Sequence, residues 1–199
     1  MGSPLQWRHK ERLLSFFGAL APCPMSRLKN FSMKEGTHLF TTGTSLHRNL
    51  LQRTQWADLL ESILFEYRDA GEYLVHSHAI MPDHLHVLAT TAQAKSPAKI
   101  MQLVKGRFSY ELKKQYGVSR SPWQEGFASR HVVNASQFSS AVKYIEENPV
   151  KAGLCNSPEK HRYGSASGRH RMDPMPDFGA KAPGREEAGS MSTLKRRPQ

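Results

Sequence analysis

Short runs of β-branched and apolar residues, alternating with polar positions, occur four times along the chain and predict four strands. The second and third runs are separated by Pro82 and Asp83, which are turn-forming residues, so these two runs predict a hairpin. The predicted strands span residues 37–42, 73–81, 84–90 and 127–133.

Apolar residues spaced three and four apart predict helices between these strands. The first helix is expected at 55–68 and ends before Gly71. The second begins after Ser96, the expected N-cap, with Pro97 in its first turn. Gly117 is expected to end it, because glycine readily adopts the left-handed backbone found after helices.

A third helix follows the last strand, with either Asn134 or Ser136 as its N-cap. Its end is predicted at Asn148, because Pro149 disfavours helical backbone in the residue before it. The resulting order is β-α-β-β-α-β followed by a helix. It predicts an α+β fold, a ferredoxin-like split β-α-β antiparallel sheet with an added C-terminal helix.

Both ends of the chain differ in composition from the middle. Residues 1–25 contain a short apolar run at 13–21 that resembles a secretory signal peptide. Because no framework of cysteines follows, we interpret 1–25 as a disordered extension, with Met25 as an alternative start. Gly, Ser, Pro and basic residues dominate 164–199 and predict a disordered basic tail. The folded domain is thus expected to span 26–163.

The charge balance points to an anionic partner. The 199 residues include 28 Lys and Arg against 17 Asp and Glu, which gives a net charge of +11. A balance of this size favours nucleic acid as the partner. Only two cysteines are present, and no stretch approaches the ~18 apolar residues of a membrane span. We therefore expect a cytoplasmic protein without disulfides or a membrane segment, either monomeric or homodimeric.

The third strand carries a histidine pair on one face. Side chains alternate along a strand, so His84 and His86 share a face while Leu85 and Val87 point to the other. Two neighbouring imidazoles can bind one metal ion. The earlier pair in His76-Ser77-His78 is an alternative, but its polar middle residue offers less reason to hold the histidines outward.

The third helix carries a second polar pair, Tyr144 and Asn148, which are four residues apart and therefore face the same way. A separate stripe formed by Phe138, Val142 and Ile145 is expected to be buried. Tyr144 would then stand beside the core with its hydroxyl accessible. The alternative is an ordinary half-buried tyrosine whose hydroxyl contacts water.

Three segments, in this order, resemble the REP-associated tyrosine transposases of the HUH superfamily. They are M-P-D-H-L-H-V-L around the histidine pair, P-W-Q-E-G-F at 122–127, and Y-I-E-E-N-P-V-K-A-G from Tyr144. The resemblance covers residues 26–163. It implies that Tyr144 is the nucleophile on a catalytic C-terminal helix, that His84 and His86 bind a metal ion, and that Asn148 completes the metal site.

The resemblance also implies a function: metal-dependent cleavage and rejoining of single-stranded DNA at palindromic hairpins, through a 5′-phosphotyrosine intermediate. The ligand types suit Mg²⁺ or Mn²⁺. Two alternatives stay open, a non-catalytic nucleic-acid-binding module on the same fold and a metal-binding regulator. Basic residues could neutralise phosphates and an aromatic residue could stack on bases. The DNA-binding candidates are Arg48, Lys105, Arg107, Lys113, Lys114, Arg120, Trp123 and Arg130.

Overall fold

A computed structural model describes residues 36–91 and 96–178, and these form the α+β fold that the sequence predicts. The predicted extension and the tail beyond residue 178 lie outside the described residues. Within residues 36–91 and 96–178, no helix is both long and apolar enough to cross a membrane. The elements are β1 (Thr37–Gly43), α1 (Thr54–Asp69), β2 (Tyr73–Ile80), β3 (His84–Thr91), α2 (Pro97–Tyr116), β4 (Ala128–Val132) and α3 (Ala135–Lys151).

The strands form one antiparallel sheet in the order β2-β3-β1-β4. Helices α1 and α2 pack on one face of this sheet and form the larger core with it. The β3 side chains Leu85, Val87 and Ala89 belong to that core, as their alternation predicted. This packing leaves the opposite set of β3 side chains, which includes the histidine pair, to the other face.

Helix α3 packs on that second face, and Phe178 packs beside it. Its Phe138 and Ile145 pack in a smaller core with Leu39 of β1 and Leu88 of β3. The consequence is an asymmetric domain, with two helices over one face and a single helix over the other. Every side chain that α3 turns inward therefore meets the face that carries His84 and His86.

The two ends of α3 test two predictions. Asn134 is the N-cap, because its Oδ1 accepts a 2.9 Å hydrogen bond from the backbone N–H of Gln137. The predicted end at Asn148 is wrong, since α3 continues through Pro149 to Lys151. A proline in the last turn removes only one backbone donor there, so the helix tolerates it. Asn148 consequently keeps a helical position one turn after Tyr144.

Residues 164–178, which we call the C-terminal strap, are ordered against the domain, contrary to the predicted disorder. The strap covers β2, the edge strand, whose unpaired backbone groups would otherwise be exposed. Val75 N–H donates to Asp173 Oδ2 at 2.7 Å, and Asp173 N–H donates to Val75 O at 2.8 Å. The buried Ser165 hydroxyl lies 2.8 Å from that of Ser77. Composition misled here because few, widely spaced residues make these contacts.

Buried charge fixes the strap to α1. Glu61 is 3% exposed, and Arg169 Nη1 lies 2.9 Å from its Oε2. Burial tends to raise the pKa of Glu61, but the hydrogen bond and charge of His78, with the charges of Arg169 and His170, lower it overall. A second ion pair joins Arg68 and Asp173 at 2.8 Å. Loss of the strap would leave Glu61 buried with fewer cationic partners, which is costly.

A chain that ends at residue 163 should therefore be much less stable than one that ends at residue 178. The Arg169 side chain is 35% exposed, so its ion pair with Glu61 contributes less than a fully buried pair. With the lost backbone hydrogen bond to β2, the truncation should still cost about 2 kcal/mol and lower Tm by roughly 5 °C or more. Thermal unfolding followed by circular dichroism measures this difference. Equal Tm values for the two chains would show that the strap adds nothing to the domain.

Candidate active site

The histidine pair lies on β3 under helix α3. The two imidazole centroids are 4.6 Å apart, with planes at 80° to each other. His86 is fully buried, whereas the His84 side chain is 20% exposed. The pair is thus open to solvent on the His84 side only, which gives the site one direction of approach.

Each imidazole is held through its Nδ1 atom. Asp83 Oδ1 lies 2.6 Å from His84 Nδ1, and Thr41 Oγ1 lies 2.8 Å from His86 Nδ1. A carboxylate oxygen only accepts, so His84 Nδ1 carries the hydrogen and donates it. The sequence had offered Asp83 as a turn residue and Thr41 only as part of a strand. Thr41 is the partner of His86 in the β1–β3 register, which no local pattern reveals.

The other nitrogen of each ring, Nε2, is buried and has no hydrogen-bond partner in the part of the chain described. Burial, together with the neighbouring His84, lowers the pKa of His86 well below its ordinary value, so its imidazole is neutral at pH 7. Buried polar atoms without a protein partner are rare, and most of them bind a water or an ion. Imidazoles whose Nδ1 atoms are held elsewhere can direct their Nε2 atoms at a metal ion.

Tyr144 and Asn148 complete this cluster from α3. The rings of Tyr144 and His86 lie 5.4 Å apart between centroids, in an edge-on arrangement. Asn148 is buried, and its side chain lies beside the Tyr144 hydroxyl. Within 36–91 and 96–178 no three His, Cys, Asp or Glu side chains form a metal-binding group. Besides the histidines and Tyr144, the cluster contains the Asn148 amide, whose Nδ2 has no hydrogen-bond partner among the described residues.

The environment of Tyr144 differs from the expected one. Its stripe on α3 is not separate from the buried face, because Ala141 and Asn148 on the same stripe are both buried against the sheet. Burial raises the pKa of Tyr144 to about 12, and the Asn148 side chain acts in the opposite direction. Tyr144 is thus half-buried, with its ring beside His86, rather than exposed on the helix surface.

The competing histidines, His76 and His78, cannot share an ion in this structure. A β-bulge interrupts the alternation of β2 between Val75 and Ser77. As a result, His76 packs against Phe138 on the α3 face, while His78 lies 3.4 Å from Glu61 on the opposite face. Their His-x-His spacing resembles that of the β3 pair, but their positions are on different sides of the sheet.

Comparison with known proteins assigns the family. Residues 37–148, which include all four members of the cluster, match the family model described as transposase IS200 like. The chain belongs to the IS200-like transposase family. This confirms the enzyme class that the sequence predicted, a tyrosine transposase.

Two relatives are similar over most of this transposase. A REP-associated tyrosine transposase of Escherichia coli (strain K12) is 27% identical over 132 residues, which cover 65% of this chain and 75% of the relative. The solved structure of a REP-associated tyrosine transposase bound to a REP hairpin superimposes with a TM-score of 0.59 at 20% identity. That match covers 78% of this chain and 94% of the other, and it confirms the fold.

The basic candidates of this transposase divide between two sides of the sheet. Arg130 pairs with Leu39 in the β1–β4 register and so lies on the α3 face. Arg48 is exposed in the loop after β1, where Thr44 contacts both Arg48 O and Asp83 O. Arg120 is exposed in the loop after α2. The exposed α2 candidates, Arg107, Lys113 and Lys114, belong to the helix layer opposite Tyr144.

Two further candidates have internal roles. Trp123 is 5% exposed, packs against Phe108 and donates from Nε1 to Lys105 O at 3.2 Å. Lys105 Nζ donates to the carbonyl oxygens of Gln124 and Gly126. Burial lowers the pKa of Lys105 to about 8. The structure therefore corrects the predicted base stacking by Trp123 and phosphate contact by Lys105, because their polar atoms and faces are used within the domain.

Proposed function

We propose that this protein is a metal-dependent tyrosine transposase that cleaves and rejoins single-stranded DNA at palindromic hairpins. The observation that supports the proposal is the packing of the Tyr144 ring against His86, which itself neighbours His84, with the Nε2 atoms of both histidines buried and without partners among the described residues. A binding module has no need for a nucleophile beside two unsatisfied imidazoles. Because the substrate is DNA, we expect the protein to act in the cytoplasm.

The residues present fit a divalent cation. His84 and His86 would hold it through Nε2, and the Asn148 amide oxygen would complete the protein ligands. Two nitrogens and one oxygen leave positions for a phosphate, and they suit Mn²⁺ while admitting Mg²⁺. When bound, such an ion polarises a non-bridging phosphate oxygen and offsets negative charge on the phosphate.

The chemistry of the chain itself rests on Tyr144. Attack by its phenolic oxygen on phosphorus forms a phosphotyrosine bond and breaks the bond from phosphorus to the 3′-oxygen. The phenol loses a proton and the departing 3′-oxygen gains one, so the step is balanced. One DNA strand then remains attached to Tyr144 through its 5′-phosphate. A second 3′-hydroxyl can reverse the step, which rejoins strands without a high-energy cofactor.

Recognition of hairpin DNA is proposed from the relatives and from charge. A related transposase was solved with a REP hairpin. In this chain, Arg130 is exposed on the histidine face and Arg48 is exposed in the loop after β1. Phosphate contacts by these arginines, with Arg120 and the α2 cations as further candidates, would make binding weaken as salt rises. The hairpin sequence would be selected by other contacts.

The decisive experiment incubates the protein with a single-stranded hairpin oligonucleotide and Mn²⁺. We expect a covalent protein–DNA adduct that resists denaturation, together with a fragment that ends in a free 3′-hydroxyl. If the oligonucleotide binds tightly but no adduct forms across a panel of hairpins, the non-catalytic binding module is the correct function. If neither adduct nor binding is found, the metal-binding regulator gains support.

The contact between Thr41 and His86 offers a test of the metal site that does not depend on cleavage. Thr41→Val removes the hydroxyl that orients His86, and loss of such an outer contact lowers metal affinity about 10- to 100-fold. Titration calorimetry with Mn²⁺ measures this loss. The matched control is Thr42→Val, because the buried Thr42 hydroxyl has no partner among the described residues. Equal losses in both variants would remove Thr41 from the site.

A further inference from the structure

The segment 122–127, one of the three that resemble known transposases, contains a side chain that the proposed chemistry does not use. This side chain is the carboxamide of Gln124. The backbone N–H of Gln124 donates to Gly43 O at 2.9 Å, and Trp123 forms an isolated antiparallel bridge with Thr44. These contacts place the segment beside the end of β1, where the strand meets His84.

The backbone around Gln124 is held from several directions. The preceding residue, Trp123, is buried in the core and packs against Phe108. Lys105 donates to the carbonyl oxygen of Gln124 at 2.9 Å and also contacts that of Gly126. A side chain supported in this way keeps a defined orientation, which recognition of a ligand requires.

The position of the Gln124 side chain depends on the absence of one at Gly43. Gly43 is the partner of His84 in the β1–β3 register, and it shares a face with Thr41, which binds His86. A Cβ on Gly43 would lie 3.2 Å from Gln124 Oε1 and 3.4 Å from its Cδ. The Gln124 carboxamide therefore occupies the space that a side chain at Gly43 would fill. This space lies on the histidine face, next to β3.

The chemistry of a carboxamide indicates what it contacts. Within residues 36–91 and 96–178 this group makes no hydrogen bond, although it is only half-exposed. It offers both donors and an acceptor. Phosphate oxygens only accept, whereas the edge of a base presents donors and acceptors together, and glutamine suits adenine in particular.

We infer that Gln124 reads the base of a nucleotide next to the cleaved bond and so sets sequence preference at that position. This inference rests on the proposed function, because it places the DNA strand across the histidine face. Gly43 provides the room for the carboxamide, and the anchored backbone at Trp123 fixes its direction. Gln124 thus contributes specificity, and the transfer chemistry stays with Tyr144.

The test compares cleavage of oligonucleotides that differ in one base at each position around the cleaved bond. We expect the wild-type protein to prefer one base, at one position, by roughly ten-fold or more. Gln124→Met keeps the length of the side chain but removes its donors and acceptor, so it should abolish this preference at that position alone. Gln124→Glu, which retains only acceptors, should change which base is preferred.

A glycine pair supplies the second arm. Gly43→Ala should displace the carboxamide and weaken the same preference, whereas Gly106→Ala adds a methyl group that meets nothing within 4 Å and should leave it unchanged. The inference is overturned if Gln124→Met keeps the wild-type preference, or if it slows every oligonucleotide equally. Absence of any adduct with the wild-type protein would instead refute the proposed function.

Discussion

Tyr144→Phe should abolish the covalent protein–DNA adduct. The substitution removes a single oxygen and leaves the ring that packs edge-on against His86, so stability should change by about 1 kcal/mol or less. Without the phenolic oxygen no bond to phosphorus can form, and cleavage should fall below detection. Denaturing electrophoresis with a labelled hairpin measures the adduct, and mass spectrometry of the wild-type adduct should locate the phosphate on Tyr144.

Two other tyrosines serve as controls for this result. Tyr110 and Tyr116 are the exposed tyrosines of α2, at 58% and 41%, and they lie on the layer opposite the histidine pair. Tyr110→Phe and Tyr116→Phe should both leave adduct formation at the wild-type level. An adduct that persists in Tyr144→Phe, or one that disappears with Tyr110→Phe, would move the nucleophile to another residue.

Replacing either histidine of the proposed metal site should also stop cleavage, through loss of the ion rather than of the nucleophile. His84→Ala and His86→Ala each remove one of the two unpartnered Nε2 atoms. DNA affinity should be largely retained, because phosphate contacts by basic residues dominate it. Wild-type protein should gain thermal stability on addition of Mn²⁺, since an ion that binds only the folded state raises Tm. Both variants should lose that gain.

His86 is fully buried, so its replacement will also leave a cavity, and loss of activity could then reflect unfolding. His76→Ala is the matched control. His76 is 4% exposed on the same face of the sheet and bonds to Thr90 at 2.7 Å. The His76→Ala variant should have a lower Tm than the wild-type protein. Its gain in Tm on addition of Mn²⁺, and the rate of cleavage by its folded fraction, should not change. Full cleavage by the double variant of His84 and His86 would exclude the metal role.

The amino-acid sequence by itself determined the order of elements and named the residues of the candidate site. Alternation on β3 showed that His84 and His86 share a face, and helical spacing showed the same for Tyr144 and Asn148. These relations are local, because strand and helix geometry fix the direction of nearby side chains. The three similar segments then indicated the family, which the match over residues 37–148 confirms.

Local patterns failed where a single residue altered the geometry. The bulge in β2 sends His76 and His78 to opposite faces, although their spacing is the same as that of His84 and His86. Proline at position 149 was expected to end α3, but the loss of one donor in a final turn is small. Alternation along a strand and helix termination near proline are both general rules. At β2 and at Pro149, the local backbone and its packing override them.

Only the tertiary structure decided how distant segments complete the site and the domain. Thr41 meets His86 across 45 positions of the chain, and Asp173 of the strap meets Arg68 across 105. Such contacts depend on strand order and on which helix covers which face of the sheet. The spacing of apolar residues within a single strand or helix shows neither. Burial of Trp123 and Lys105 follows the same rule, because their environment is set by β1 and α2 together and not by the residues beside them in the sequence.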